Sequence, residues 1–182
     1  MEITGLPRHS LNQGERPMIA ESICVRKVST PEEAGRIVEF FFSPVSFDDA
    51  RHTPGEVEHL STLPYRALEG DSVFWYVTDE NGEVIGVCSI AQNEQQSGGY
   101  GWDYLVVHRS FRKSGIASAL IEEMKEHLAR VSARYVVTYT CSLPAYDPIR
   151  RLFARHGFSE IGRLPDYYFD GEDRLIYYRK LA

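Results

Sequence analysis

The run Val107-His108-Arg109-Ser110-Phe111-Arg112-Lys113-Ser114-Gly115-Ile116-Ala117 passes from an apolar strand, through a polar turn, into a helix that opens with small residues. A helix start leaves about four backbone N–H groups without intrahelical partners. The aligned peptide dipoles add roughly half a positive charge at that end. Together they form an anion site, and a pyrophosphate suits it. Gly115 lets the backbone approach an anion closely, and Ala117, Ser118 and Ala119 keep bulk away. Arg112 and Lys113 add charge, while Ser114 and Ser118 offer hydroxyls. A nucleoside-triphosphate loop is excluded because GxxxxGK followed by Ser or Thr is absent. A dinucleotide fingerprint is excluded too, since Gly99 and Gly101 stand at the front of the strand instead of after it. The cysteines Cys24, Cys88 and Cys141 make no CxxC pair, and no metal site is expected.

The elements that must hold this turn follow from pattern. A strand is expected at Ser22–Val28, then a helix to about Phe42 started by Thr30-Pro31-Glu32-Glu33, in which Thr30 caps and Glu33 closes a capping box. Residues 43–70 carry prolines and charges, and predict one more short helix among loops. Val73–Thr78 and Val84–Ala91 form a hairpin across Asp79–Gly82, and Tyr100–Val107 is the strand before the turn. The helix then covers about Gly115–Arg130, with Ile116, Leu120, Met124 and Leu128 on one face. A strand at Arg134–Thr140 and a helix at Pro148–His156 follow. Strands near Phe158–Arg163 and Leu175–Lys180, joined by Pro165–Asp173, close the chain. The fold class is α/β (α+β): a mostly antiparallel sheet of 6–7 strands with about four helices, in one domain over 21–182 after a tail at 1–20.

The chain has 182 residues, 43% hydrophobic and 25% charged, enough for one folded core. A net charge of -6 argues against nucleic acid as a partner and fits a small cationic acceptor. No apolar run approaches the ~18 residues of a membrane span, and free thiols suit the cytoplasm.

The segment Arg112-x-x-Gly115-x-Ala117 resembles the Arg/Gln-x-x-Gly-x-Gly/Ala signature of the GNAT superfamily of N-acetyltransferases. The order of elements from about Ile23 to Leu181 is similar as well, including His156-Gly157-Phe158, where the family commonly ends a helix with Gly and an aromatic residue. Thr140–Pro148 and Asp166-Tyr167-Tyr168 resemble one bacterial branch. The resemblance implies acetyl-CoA as cosubstrate. Arg112, Lys113, Ser114, Gly115, Ile116, Ala117 and Ser118 would hold its pyrophosphate. Backbone at Leu105, Val106 and Val107 would hold the pantetheine arm and polarise the thioester oxygen. Asp147 stands where the family often has an Asn that contacts the arm, and, before Pro148, it also reads as a helix cap.

Direct attack by an amine further requires a proton acceptor, because a free alkyl amine has a pKa of ~10.4. Asp103 is the first candidate: it interrupts an apolar strand, and by alternation shares a face with Leu105 and Val107. The plainer alternative is an edge carboxylate paired with arginine. Glu94 and His108 are weaker candidates. The family's usual tyrosine acid is replaced by Phe153, which leaves Tyr146, with Tyr139 as a further option, or no acid at all. The acceptor walls are expected in the first helix with its following loop, and in the Pro165–Asp173 hairpin, whose aromatics and carboxylates suit a cation. The expectation is an N-acetyltransferase acting on a primary amine of a small molecule or peptide. A non-catalytic acyl-CoA-binding sensor, and a structural or interaction protein of the same fold that uses the Tyr-rich hairpin at a homodimer interface, are the open alternatives.

Overall fold

In the sheet every neighbouring pair of strands runs antiparallel except one, and that exception makes the site. The computed structural model describes residues 23–49, 51–70 and 72–181. Its strands are β1 (Arg26–Lys27), β2 (Ser72–Thr78), β3 (Val84–Gln92), β4 (Gly99–Val107), β5 (Tyr135–Cys141), β6 (Ser159–Phe169) and β7 (Glu172–Lys180). They form one sheet in the order β1-β2-β3-β4-β5-β7-β6. The helices are α1 (Pro31–Phe41), α2 (Pro54–Glu69), α3 (Ile116–Arg130) and α4 (Asp147–Arg155). Seven strands and four α-helices agree with the expected class.

Both faces of the sheet are covered, which is why β3 is buried without interruption from Val84 to Ile90 instead of alternating between buried and exposed residues. Val87 turns to one side and packs with Phe41, Leu60 and Phe74 under α1 and α2. Cys88 and Ile90 turn to the other, with Trp102, Ile116, Leu120 and Phe153 under α3 and α4. The capping box that starts α1 is present in full: Thr30 accepts from the Glu33 N–H, and the Glu33 carboxylate accepts from the Thr30 N–H.

Three expectations need correction. The first strand is only Arg26–Lys27; Ser22 and the proposed tail at 1–20 lie outside the described residues. The helix in 43–70 is long, not short: α2 has 16 residues, capped by Thr53, opened by Pro54 and ended by Gly70 at φ 91°. Pro64 sits within it, tolerated because Leu60, Leu63 and Pro64 bury one face. The loop expected at Pro165–Asp173 is largely strand, a hairpin of β6 and β7 with an irregular register between Leu164 and Phe169. Asp166, at φ 51°, absorbs that irregularity.

The single parallel pair is β4 with β5, joined through the crossover helix α3. It is paired only over Gly99–Gly101 with Tyr135–Val137, although both strands continue beyond. Past Gly101 the two strands part, and a gap opens in the middle of the sheet beside the start of α3. No helix among the described residues is long and apolar enough to cross a membrane.

Candidate active site

At the end of β4 the chain makes a short 3-10 turn, Arg109–Phe111, and enters α3 through two left-handed residues, Lys113 at φ 65° and Gly115 at φ 93°. The N-cap of α3 is Gly115, with no side chain closing it. The first turn of a 15-residue helix therefore presents uncapped N–H groups of Ile116, Ala117 and Ser118 beside the gap. A glycine is required by the backbone here, since other L-residues are strained at this φ. Ile116 anchors the turn with a buried side chain. Gly86 on β3 makes room for it, because a Cβ at that position would lie 2.5 Å from Ile116 Cγ2.

The side chains around this turn divide by what they already bind. Lys113 and Ser118 are exposed and have no partner among the described residues, so their donors face solvent. Arg112 is engaged: Nη1 donates to both Asp48 carboxylate oxygens at 2.8 and 2.9 Å, Nη2 to Ser46 O, and Nε to Val107 O. The Ser114 hydroxyl donates to Phe111 O and ties the turn together. Arg112 thus clamps the α1–α2 loop onto the turn before α3, and Ser114 shapes that turn, roles that their types alone did not reveal.

Along the gap, backbone direction decides which groups are available. His108 N–H bonds Ile85 O on β3 at 2.9 Å. By alternation Val106 also turns its N–H to β3, whereas Leu105 and Val107 turn theirs toward the gap, where β5 no longer pairs. The outward carbonyl of Val107, taken by Arg112 Nε, agrees with this. At the closed end of the gap, Thr138 Oγ1 donates to Trp102 O at 2.9 Å and replaces a ladder bond.

Asp103 does not share a face with Leu105 and Val107. The register of β3 with β4 jumps from Ser89↔Tyr104 to Ile90↔Trp102, so Asp103 is the extra residue of a β-bulge. Trp102, Leu105 and Val107 pack on the α3 side, and Tyr104 and Val106 on the α1–α2 side. Asp103 turns to the α1–α2 side with Gly101, whose added Cβ would sit 3.7 Å from Asp103 Oδ1. It lines a recess there with Glu94, Gly101 and Val137. Burial pushes its carboxyl up to about 6, against the lowering pull of Arg66 and Arg174. Across the gap stands Tyr139, two residues past the last paired position of β5 as Asp103 is two past that of β4. His108 is occupied differently: its Nδ1 accepts from Ser110 N–H and caps the 3-10 turn.

Tyr146 lies in the turn Pro144–Tyr146, half-buried. Its hydroxyl is pushed up to about 12 by burial and by the charges of Cys141, Asp49, Glu56 and Glu172. Asp147 is not the cap of α4. The preceding turn runs straight into the helix, so Tyr146 is the N-cap, without a side-chain cap bond, and Asp147 is the first helical residue. Its carboxylate pairs with Arg150, whose Nη1 donates to Cys141 O and Leu143 O and pins the β5–α4 loop. Phe153 is 3% exposed and packs edge-on to Trp102, so α4 gives no hydroxyl at that position.

The segments expected to wall the acceptor side meet through one arginine. Arg51 joins them, binding Asp49 at 2.6 Å and Glu172 at 2.9 Å and so linking the α1–α2 loop to the C-terminal hairpin. Phe47 packs against Tyr104 and His52. Sequence reasoning missed Tyr104 and, above all, Arg174, whose guanidinium carbon lies 3.3 Å from the Tyr139 ring centroid. Its alternation with the buried Leu175 and Asp173 was the available signal, since it marks a cation turned to the opposite face of β7.

The pattern of the acetyltransferase (GNAT) family matches residues 38–158, more than half of the chain, and the chain belongs to that family. No curated protein matches it in sequence. Among solved structures, it is similar to a Desulfovibrio desulfuricans protein assigned to the GNAT family, with a TM-score of 0.74 and 23% identity, covering 88% of this chain and 100% of that one. An N-acetyltransferase from Staphylococcus aureus matches with a TM-score of 0.71 and 16% identity, over 89% and 100% of the two chains. An aminoglycoside 6'-N-acetyltransferase complexed with coenzyme A matches with a TM-score of 0.67 and 12% identity, over 86% and 96%. At these identities the likeness is one of fold.

Proposed function

We propose that the protein transfers an acetyl group from acetyl-CoA to a primary amine by direct attack. The observation that carries this reading is the parting of β4 from β5 after Gly101 and Val137, which brings an uncapped helix start, unpaired strand N–H groups and a shielded carboxyl to one opening.

Each part has a role. The N–H groups of Ile116, Ala117 and Ser118, with Lys113 and the Ser118 hydroxyl, bind the pyrophosphate of coenzyme A. The pantetheine arm lies in the gap, where N–H groups of Leu105 and Val107 bond it and stabilise charge on the thioester oxygen. The amine enters from the α1–α2 side, where Asp103 faces. Its nitrogen forms the amide bond as the thioester C–S bond breaks, its proton passes to Asp103, and coenzyme A leaves as the thiolate. With a carboxyl near 6, Asp103 is ionised at neutral pH and close to the range where a base works best. Tyr146 is a hydrogen-bond donor for the leaving sulfur and not its acid. A phenol pushed up to about 12 keeps its proton beside a thiolate whose own pKa is ~8.5, and solvent protonates the thiolate later. The three free cysteines fit a reducing, cytoplasmic setting.

The test is free-thiol release from acetyl-CoA, with and without a panel of primary amines. Release above the no-acceptor background is expected for at least one amine class. Bound acetyl-CoA with no release across the panel would contradict the reading.

A further inference from the structure

We propose that the acceptor is an amine that also carries a carboxylate, and that Arg174 is the residue that binds that carboxylate. This rests on the acetyl-transfer reading above and narrows it to a substrate class.

Arg174 sits on β7 opposite Cys141 of β5, at the open end of the gap. Its guanidinium lies between two rings, 3.3 Å from the centroid of Tyr139 and 4.7 Å from that of Tyr167. Nη1 donates to Tyr167 Oη at 2.6 Å. The guanidinium also hydrogen-bonds the Tyr139 side chain, whereas Nε is enclosed and has no hydrogen-bond partner among the described residues. An enclosed donor left unmet is destabilising. A guanidinium held against aromatic rings, with its Nε donor unmet, is preorganised for a carboxylate.

The surrounding charges sharpen the inference. Other arginines near the site have carboxylate partners: Arg51 holds Asp49 and Glu172, Arg112 holds Asp48, and Arg163 holds Asp173. Arg174 pairs with no carboxylate among the described residues. Read from the other side, most acidic residues that seemed to favour a polycation are already neutralised within the protein. Asp103 on one strand and Arg174 on another stand at the opening, with Arg66 of α2, and the charges of Arg66 and then Arg174 both act on the Asp103 carboxyl. An amino carboxylate satisfies both, its nitrogen toward Asp103 and its carboxylate on Arg174. A polyamine or an aminoglycoside would bring a cation to Arg174 instead.

The experiment follows free-thiol release from acetyl-CoA with amino acids, each beside its primary amide, together with a polyamine and an aminoglycoside, for the wild type, Arg174→Gln and Arg174→Lys. The acid is expected to exceed its amide in kcat/KM by about tenfold or more, as one charge-assisted pair allows. In Arg174→Gln the ratio should fall to within about twofold with coenzyme A affinity unchanged, and Arg174→Lys should restore part of it. A merely structural arginine would lower both acceptors together and leave the ratio intact, which overturns the proposal. Equal or better turnover of amides or polycations also overturns it, while acetyl transfer stands. No release with any amine would remove the transfer reading itself, and this one with it.

Discussion

Asp103 carries its proton to a higher pH in the folded chain than a free aspartate does, and this has consequences away from catalysis. Its folded value is about 6, against an ordinary ~3.9. Between those values the native state binds more protons than the unfolded state. Stability contributed by this group therefore falls as pH rises through that window, and is lowest above it. Asp103→Asn should remove that fall and raise stability at pH 7 by between about 1 and 3 kcal/mol, since a tenfold change in a group's proton affinity corresponds to ~1.4 kcal/mol. Denaturant melts at pH 4, 5, 6 and 7 would show it; parallel pH dependence in wild type and variant would refute it. The second residue-scale expectation concerns Gly115, at φ 93° and with the first free N–H groups of α3 just beyond it. Gly115→Glu strains the backbone and places bulk and negative charge at the proposed phosphate site. Calorimetry should detect no coenzyme A binding, and unchanged affinity would relocate the site.

Among the elements, α3 and the gap between β4 and β5 belong to one device, and its tolerance is set under the helix. A Cβ on Gly86 would meet Ile116 Cγ2 at 2.5 Å and Leu120 Cδ1 at 3.3 Å. Gly86→Ala must therefore lift the first turn of α3 from the sheet, costing about 1–3 kcal/mol as overpacking does. The same shift should weaken coenzyme A binding several-fold. Thermal melts with and without coenzyme A separate the two effects, and a destabilised variant with wild-type affinity would show that the helix start is not the phosphate site. This device was readable in the sequence because its parts are local: an apolar strand, a polar turn, one glycine and a period of 3.6 within 25 residues (106–130). The capping box at Thr30 was readable for the same reason. The bulge at Asp103 was not, because it exists only in the pairing of β4 with β3, and strict alternation assigned the wrong face. The extent of α2 was hidden by Pro64, whose cost is offset by burial that only the folded chain supplies. Asp147 misled in the same way, since Asp-Pro spells a cap until a preceding turn displaces it by one residue.

For the whole molecule, the family and the order of elements were within reach of pattern, while the electrostatics of the opening were not. The net charge of -6 suggested a cationic acceptor. Folding spends much of that acidity on internal pairs, such as Asp48 with Arg112 and Asp49 with Arg51, and leaves Arg174 stacked, with no carboxylate partner among the described residues. Such long-range partners come from segments as far apart as Arg51 and Glu172. The fold also makes a prediction for the molecule as a unit: coenzyme A at ~100-fold its dissociation constant should add about 2.7 kcal/mol. For a chain of this size that raises the melting temperature by roughly 5–10 °C, a shift that Gly115→Glu should lack.

The most direct test of acetyl transfer with Asp103 as the base is the pH profile of kcat/KM for wild type and Asp103→Asn, followed by thiol release with the best acceptor. The expected result is a wild-type limb that falls below about pH 6, with the variant slower by about a hundredfold or more and without that limb. A variant that keeps the wild-type rate and the same limb would contradict it.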